Sequence, residues 1–247
     1  MKRSNIIKGL CFAAIISIVL LSFKETSITQ AINGRSRIVR MPVYVKAIEF
    51  VARHYEYERL TKEITAGSAS EKEKALAIFR WTHDKIRHVP EGMPIVDDHV
   101  LNIIIRGYGS CDQSQDVFTT LAAYAGMDAF WAKVYDPSGK IWYPVSFVKI
   151  SGRWSPFDTY FGKYFLNSDK EIASVEDISR DKSIVGGPEV DSMTFRGVPY
   201  KEFFCNLKPV TVSKTLRPEK QMPLKRLIFE IKKRLKIEKV EGGYEDK

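Results

Sequence analysis

The chain has 247 residues, 44% apolar and 28% charged, which suits one good-sized core, or one domain with a tail, and excludes a disordered protein. The net charge is +9, but eight basic residues lie between Lys220 and Lys239 against only Glu230 and Glu238, so the excess is a local patch and no nucleic-acid face is expected. Three cysteines, Cys11, Cys111 and Cys205, exclude a disulfide-rich framework, and none has zinc-finger spacing, so neither a structural metal nor a cofactor is expected.

Lys2, Arg3 and Lys8 precede or open an uncharged run from Gly9 to Phe23, which Lys24 and Glu25 end. This is the charge pattern of a signal sequence or a short anchor. The positive flank should stay in the cytoplasm and send the remainder of the chain outside it. The run is short for a membrane-spanning helix, which needs about 20 residues, though Ile6 and Ile7 extend it. Thr29-Gln30-Ala31 lies too far beyond the run to make a good cleavage site, and Cys11 has the wrong context for lipid modification. Residues 1–25 are therefore expected to form an uncleaved single-pass anchor, in preference to a cleaved signal.

Residues 26–64 read as a linker, basic from Asn33 to Met41, and a leading helix. In that helix, from Val43 to Leu60, Val45, Ile48, Val51 and Ala52 share one side. Ser70 and Glu73 make a capping box, and Ala75, Ile78, Phe79, Thr82 and Ile86 recur behind it at helical intervals, which predicts a helix from Glu71 to Arg87. Val100 to Ile105 is a short helix or a strand. Gly107 and Gly109 bracket a tight turn, and a second helix pattern runs from Cys111 to Ala125, with Gly126 as its stop.

The period then changes to two. Asp128–Tyr135, Ile141–Ile150 and Arg153–Phe157 read as strands, with turns at Asp136-Pro137-Ser138-Gly139 and Ser151-Gly152. Helices followed by antiparallel strands predict an α+β fold, with a helix packed on a small sheet. Residues 166–219 extend the domain. Pro223 opens a last helix, in a tail from 220 to 247, with Leu224, Leu227, Ile228, Ile231 and Leu235 as an apolar stripe among basic residues. Such a helix suits anionic lipid or an acidic partner, and equally a helix docked on the domain.

Cys111 stands at the first turn of its helix, where free N–H groups favour a thiolate and could hold an oxyanion. A lone cysteine in that position can equally be a small buried apolar residue. Gly109-Ser110-Cys111, then Phe118, Leu121, Ala122, Ala125 and Gly126, then Gly152-Arg153-Trp154 and Phe157-Asp158 resemble in order and spacing the core of the transglutaminase-like superfamily, a papain-like cysteine fold. The helix around Ala75 to Trp81 resembles the one that precedes that core, so the resemblance covers roughly residues 65 to 165. It implies a Cys-His-Asp triad with Cys111 as nucleophile, Asp158 as the acid that orients the histidine, and acyl transfer through a thioester.

Counting back from Gly152, the histidine position falls on Tyr143. The histidines of this sequence, His54, His83, His88 and His99, all precede Cys111. A phenol, with a pKa of about 10, is a poor base at neutral pH. Three outcomes stay open. The fold persists as a peptide- or glycan-binding domain without chemistry; His99 enters the site from Asp97-Asp98-His99; or a Cys–Tyr–Asp site works slowly.

Other residues have plainer roles. His83 and His88 do not share a helix face and read as surface residues. Trp131, Trp142 and Trp154 read as strand core, with a glycan or peptide platform as the lesser possibility. Asp136 and Asp158 are too far apart in the pattern for a paired-carboxylate site. Cys205 is expected to be buried, and a bond to Cys111 would remove the nucleophile.

Overall fold

The structure is a computed structural model that describes residues 19–20, 22–33, 35–97, 99–212 and 216–236. The residues form two compact units, one of residues up to Arg53 plus 94–98, the other of 54–93 and 99 onward. Most of the apolar N-terminal run, with Cys11 and its basic flank, lies outside the described residues, as do Asp98 and Lys239. Among the described residues no helix is long and apolar enough to cross a membrane.

The first unit holds a hairpin of β1 (Glu25–Ile32) and β2 (Arg35–Pro42), paired from Glu25↔Pro42 to Ile32↔Arg35. A short β4 (Val96–Asp97) adds to β1 antiparallel. This corrects the expected linker from Asn33 to Met41. Its arginines suggested a solvated connector, but Ile38 and Val39 are β-formers, and Thr26, Ile28 and Thr29 on β1 supply a branched partner strand. Asn33 takes φ 47°, a left-handed conformation that asparagine tolerates at a hairpin turn.

Helix α1 (Val43–Ile64) follows directly. The expected apolar side is not its buried side: Ile48 and Val51 are exposed, while Tyr57 and Thr61 are buried. The part of α1 from His54 onward belongs to the second unit.

In the second unit, α2 (Glu71–Lys85) starts at the predicted capping box, with Glu73 N–H donating to Ser70 Oγ at 3.2 Å and Ser70 N–H donating to Glu73 Oε2 at 3.3 Å. Its predicted core residues Ala75, Ile78, Phe79 and Thr82 are all buried, as is Ile86 just beyond. Next come β3 (Arg87–His88), α3 (Val100–Arg106) and β5 (Tyr108–Gly109), the last parallel to β3. Val100–Ile105 is thus helical, and Gly107 closes α3 at φ 72°, a conformation that glycine adopts without strain.

Helix α4 (Cys111–Tyr124) leads into an antiparallel sheet in the order β6 (Ala129–Tyr135), β7 (Trp142–Ile150), β8 (Arg153–Asp158), β9 (Lys163–Tyr164). The strands agree with the period-two segments to within a residue. The sheet is covered on both faces. Ala129, Val148 and Phe157 pack with residues of α2 and α4, including Phe79 and Phe118. Phe130, Ala132, Val134, Tyr143, Val145 and Phe147 pack on the opposite side with Tyr200, Phe203 and Phe204.

The second layer comes from α5 (Val175–Arg180), α6 (Pro188–Ser192) and α7 (Tyr200–Cys205), the last following a short β10 (Thr194–Phe195)–β11 (Val198–Pro199) hairpin. A 3-10 turn (Pro218–Gln221) then leads into α8 (Pro223–Arg234).

Candidate active site

The sharp entry into α4 is set by three residues. Gly107 ends α3; at Gly109 a Cβ would fit only tightly, 3.0 Å from Gln113 Cβ and 3.3 Å from Ile103 Cγ2, so those side chains would have to give way. Ser110 is the N-cap residue, and its N–H donates to Gln113 Oε1 at 3.1 Å. Arg106 Nη2 donates to the same oxygen at 2.8 Å and fixes Gln113 from the preceding helix. Cys111 is therefore the first helical residue, as expected. It is half-buried and packs against the apolar cluster that contains Tyr143.

Asp158 ends β8 with no exposed surface. Its Oδ2 accepts from Tyr143 Oη at 2.8 Å and from Tyr200 Oη at 2.5 Å. Its Oδ1 accepts from Gln115 Nε2 at 2.9 Å and from the backbone N–H groups of Tyr160 at 2.9 Å and Phe161 at 3.3 Å. Gln115 is held in turn by Ser146 Oγ, which donates to its Oε1 at 2.6 Å, and by Thr159 Oγ1 at 3.2 Å. Ser114 Oγ and Thr159 Oγ1 are 2.8 Å apart. A buried polar chain thus ties α4 to β7 and to the turn after β8.

The electrostatics run against a thiolate. Burial pushes the Cys111 thiol up to about 11, the charges of Asp112 and Asp158 push the same way, and the backbone N–H groups of Asp112 and Cys111 pull it back only in part. The expected depression by the helix end is outweighed by burial and two acids. Burial also raises the Asp158 carboxyl above the ordinary carboxylate range, against the pull of Tyr200, Tyr143 and two backbone N–H groups. Tyr143 and Tyr200 are pushed far above a normal phenol, first by burial and then by the Asp158 charge. Both phenols stay protonated and act as donors.

Sequence reasoning named Cys111, Tyr143 and Asp158, and the fold brings Tyr143 against Asp158, with Cys111 on the same cluster. It missed Tyr200 and Gln115. Gln115 lies one helical turn after Cys111 and was findable as a polar residue on an otherwise apolar helix side. Tyr200 reaches Asp158 from 42 positions away and had no local signal.

The histidines take structural positions. His54 Nδ1 is 2.9 Å from Tyr124 Oη. His83 and His88 are exposed, as expected, but both grip the turn after Asp158: His83 Nδ1 bonds the Thr159 carbonyl and His88 Nε2 the Tyr160 carbonyl, each at 2.9 Å. His88 also stacks on Tyr160, with ring centroids 3.9 Å apart. They converge because His83 is on α2 and His88 on the strand after it. His99 is the N-cap of α3, its carbonyl accepting from Asn102 and Ile103. The length of α3, about 10 Å at 1.5 Å per residue, separates it from the turn before Cys111.

Asp136 caps its own turn, accepting from Ser138, Lys140 and Ile141. Trp131, Trp142 and Trp154 are half-buried; Trp131 Nε1 donates to Asp116 at 2.6 Å, and Lys133 lies over the Trp142 ring. Cys205 is half-buried rather than fully buried, and both Cys111 and Cys205 are free thiols. Among the described residues there is no group of three or more His, Cys, Asp or Glu placed to hold a metal ion.

The cysteine at a helix start, the acid at the end of the third strand and the tyrosine between them all lie in residues 58–159, which the family model of the transglutaminase-like superfamily matches. These residues are a transglutaminase-like domain. Cys111, Tyr143 and Asp158 all fall within it, whereas Tyr200 enters the site from beyond its end.

No curated protein matches the chain. Solved structures similar to it include a candidate cysteine protease from Cytophaga hutchinsonii, 16% identical, covering 46% of this chain and 42% of that one, with a TM-score of 0.38. A candidate protease from Parabacteroides distasonis is 13% identical, covering 51% and 28%, with a TM-score of 0.37. A TGase is 16% identical, covering 60% and 46%, with a TM-score of 0.34. The chain thus spans less than half the length of each of these structures.

Proposed function

We propose that this transglutaminase-like domain has kept the fold without the Cys-His-Asp chemistry and binds a peptide or glycan, held at a membrane and facing outside the cytoplasm. The observation that carries the loss of chemistry is the occupancy of Asp158. The acid that would orient a histidine instead accepts from two phenols, Tyr143 and Tyr200. Neither phenol takes a proton from a thiol at neutral pH, and burial keeps Cys111 protonated. The membrane part of the proposal rests on the basic-then-apolar N-terminus, and the class of ligand rests on the family resemblance.

The test is pH-dependent alkylation of Cys111. A thiol near 11 should label at neutral pH roughly a hundredfold more slowly than an ordinary cysteine, with a rate that keeps climbing past pH 9. A labelling plateau near neutrality, or a covalent adduct with a glutamine-peptide electrophile, would overturn the proposal.

The alternative is a slow cysteine acyltransferase or amide hydrolase. It is favoured by the position of Cys111 in the first turn of α4, where its own N–H and that of Asp112 point at the sulfur's surroundings. Cys111 would attack a carboxamide carbonyl, release an amine and leave a thioester for water or a second amine. The thiol proton would pass to Asp158 through Tyr143 and return by the same route to the leaving nitrogen, which departs as the neutral amine. The same labelling experiment separates the two.

A further inference from the structure

Helix α8 docks by one side only. Phe229 is buried, under Lys220 Nζ at 4.1 Å and Arg226 at 5.8 Å from the ring centroid. The preceding 3-10 turn is tied to the domain through Tyr124 Oη, which donates to the Gln221 carbonyl at 3.0 Å. Lys225 pairs with Glu219 and Arg226 with Glu230. On the far side, Leu224, Leu227, Ile228, Ile231 and Leu235 are 45–69% exposed.

At 3.6 residues per turn these five lie within an arc of about 100°, with Lys232 on one flank and Arg234 on the other. A soluble helix normally turns such a stripe inward; here, among the described residues of the helix, the buried one is Phe229. We infer that this outer face of α8 rests on an anionic lipid bilayer, its aliphatic side chains entering the headgroup boundary and Lys232 and Arg234 meeting lipid phosphates and carboxylates.

Two features favour lipid over a protein. The stripe is aliphatic throughout, with no Trp, Tyr or Arg inside it to anchor a shaped protein pocket, whereas fluid acyl chains accept leucine and isoleucine without shape matching. The basic residues border the stripe, which places charge at headgroup level when the apolar side chains are immersed. The inference does not depend on whether Cys111 reacts.

The experiment is hydrogen exchange of residues 223–234 in the full chain, reconstituted into vesicles of phosphatidylcholine alone or of equal parts phosphatidylcholine and phosphatidylserine. Any N-terminal insertion is common to both and cancels. On the anionic vesicles exchange should slow by about tenfold relative to neutral ones. A Leu227→Glu, Ile231→Glu variant should lose the protection, and a Lys232→Glu, Arg234→Glu variant should lose the difference between lipids.

Equal exchange on both vesicles, or protection that survives both variants, overturns the inference. So does slowing without vesicles that grows with protein concentration, which marks a second copy, or slowing produced only by an added polyglutamate peptide, which marks an acidic partner. Exchange of α4 in the same samples reports folding, and if the first variant loosens it, the charge variant decides.

Discussion

Tyr143 on β7 and Asp158 at the end of β8 are joined by a 2.8 Å hydrogen bond, phenol to carboxylate, with no water-exposed surface on either side chain. The bond connects two adjacent strands at the edge where α4 begins. A third residue, Tyr200, adds its phenol to the same carboxylate oxygen, so the C-terminal layer is fastened to the domain through its acid.

Tyr143→Phe and Tyr200→Phe should each destabilise the fold, by about 1–3 kcal/mol, because each removes a hydrogen bond to a buried charge-bearing group. The two phenols share Oδ2, so either one alone still satisfies it, and the double variant, which strips that oxygen, should lose more than the sum. Urea midpoints at an unchanged denaturant slope measure this. Full additivity would mean the two bonds are independent.

The Asp158 carboxyl has a folded-state pKa raised above its ordinary value of 3.8, with burial as the first cause. The folded chain therefore holds this proton more tightly than the unfolded chain. The stabilisation is complete below the unfolded value and drains away as pH rises through the folded one. The stability of the protein relative to an Asp158→Asn variant, which does not titrate, should accordingly increase as pH falls from neutral toward 3.8. A difference that is flat across that window contradicts it.

Tyr143→His places an imidazole on the Asp158 carboxylate and on the apolar cluster shared with Cys111. Neutral-pH alkylation of Cys111 should rise about tenfold or more as an imidazolium becomes available to pair with the thiolate. No change would mean that the sulfur does not face position 143.

Ser70→Ala removes the side-chain acceptor for the Glu73 N–H at the start of α2. The cost should be about 1 kcal/mol, seen as a lower melting temperature, with Cys111 labelling unchanged.

Local rules carried much of this fold. The Ser70–Glu73 capping box and the spacing from Ala75 to Ile86 marked α2, and the Ser151–Gly152 turn marked the β7–β8 hairpin, because each signal lies within a few residues of its effect. The β1–β2 hairpin escaped because three arginines on β2 resemble a solvated linker, although Asn33-Gly34 was a turn signal that could have been weighed. The stripe on α1 was real but faces outward, since periodicity reports a face and not what covers it.

The second face of the sheet was illegible for a related reason. Helices α5, α6 and α7 are each 5–6 residues long, too short to show a period. Of the site, Cys111, Tyr143 and Asp158 were legible through motif order. The direction of the Cys111 shift was not: helix position was visible in the sequence, whereas burial is a property of the packed chain.

Five donors converge on Asp158, and a carboxylate offers about four lone-pair directions. There is no vacancy for a newcomer. A histidine placed at position 143 would share that oxygen with Tyr200, so the acid would orient two side chains at once. The acid is under joint control, and one of its two phenols, Tyr200, lies outside the residues 58–159 that hold the other.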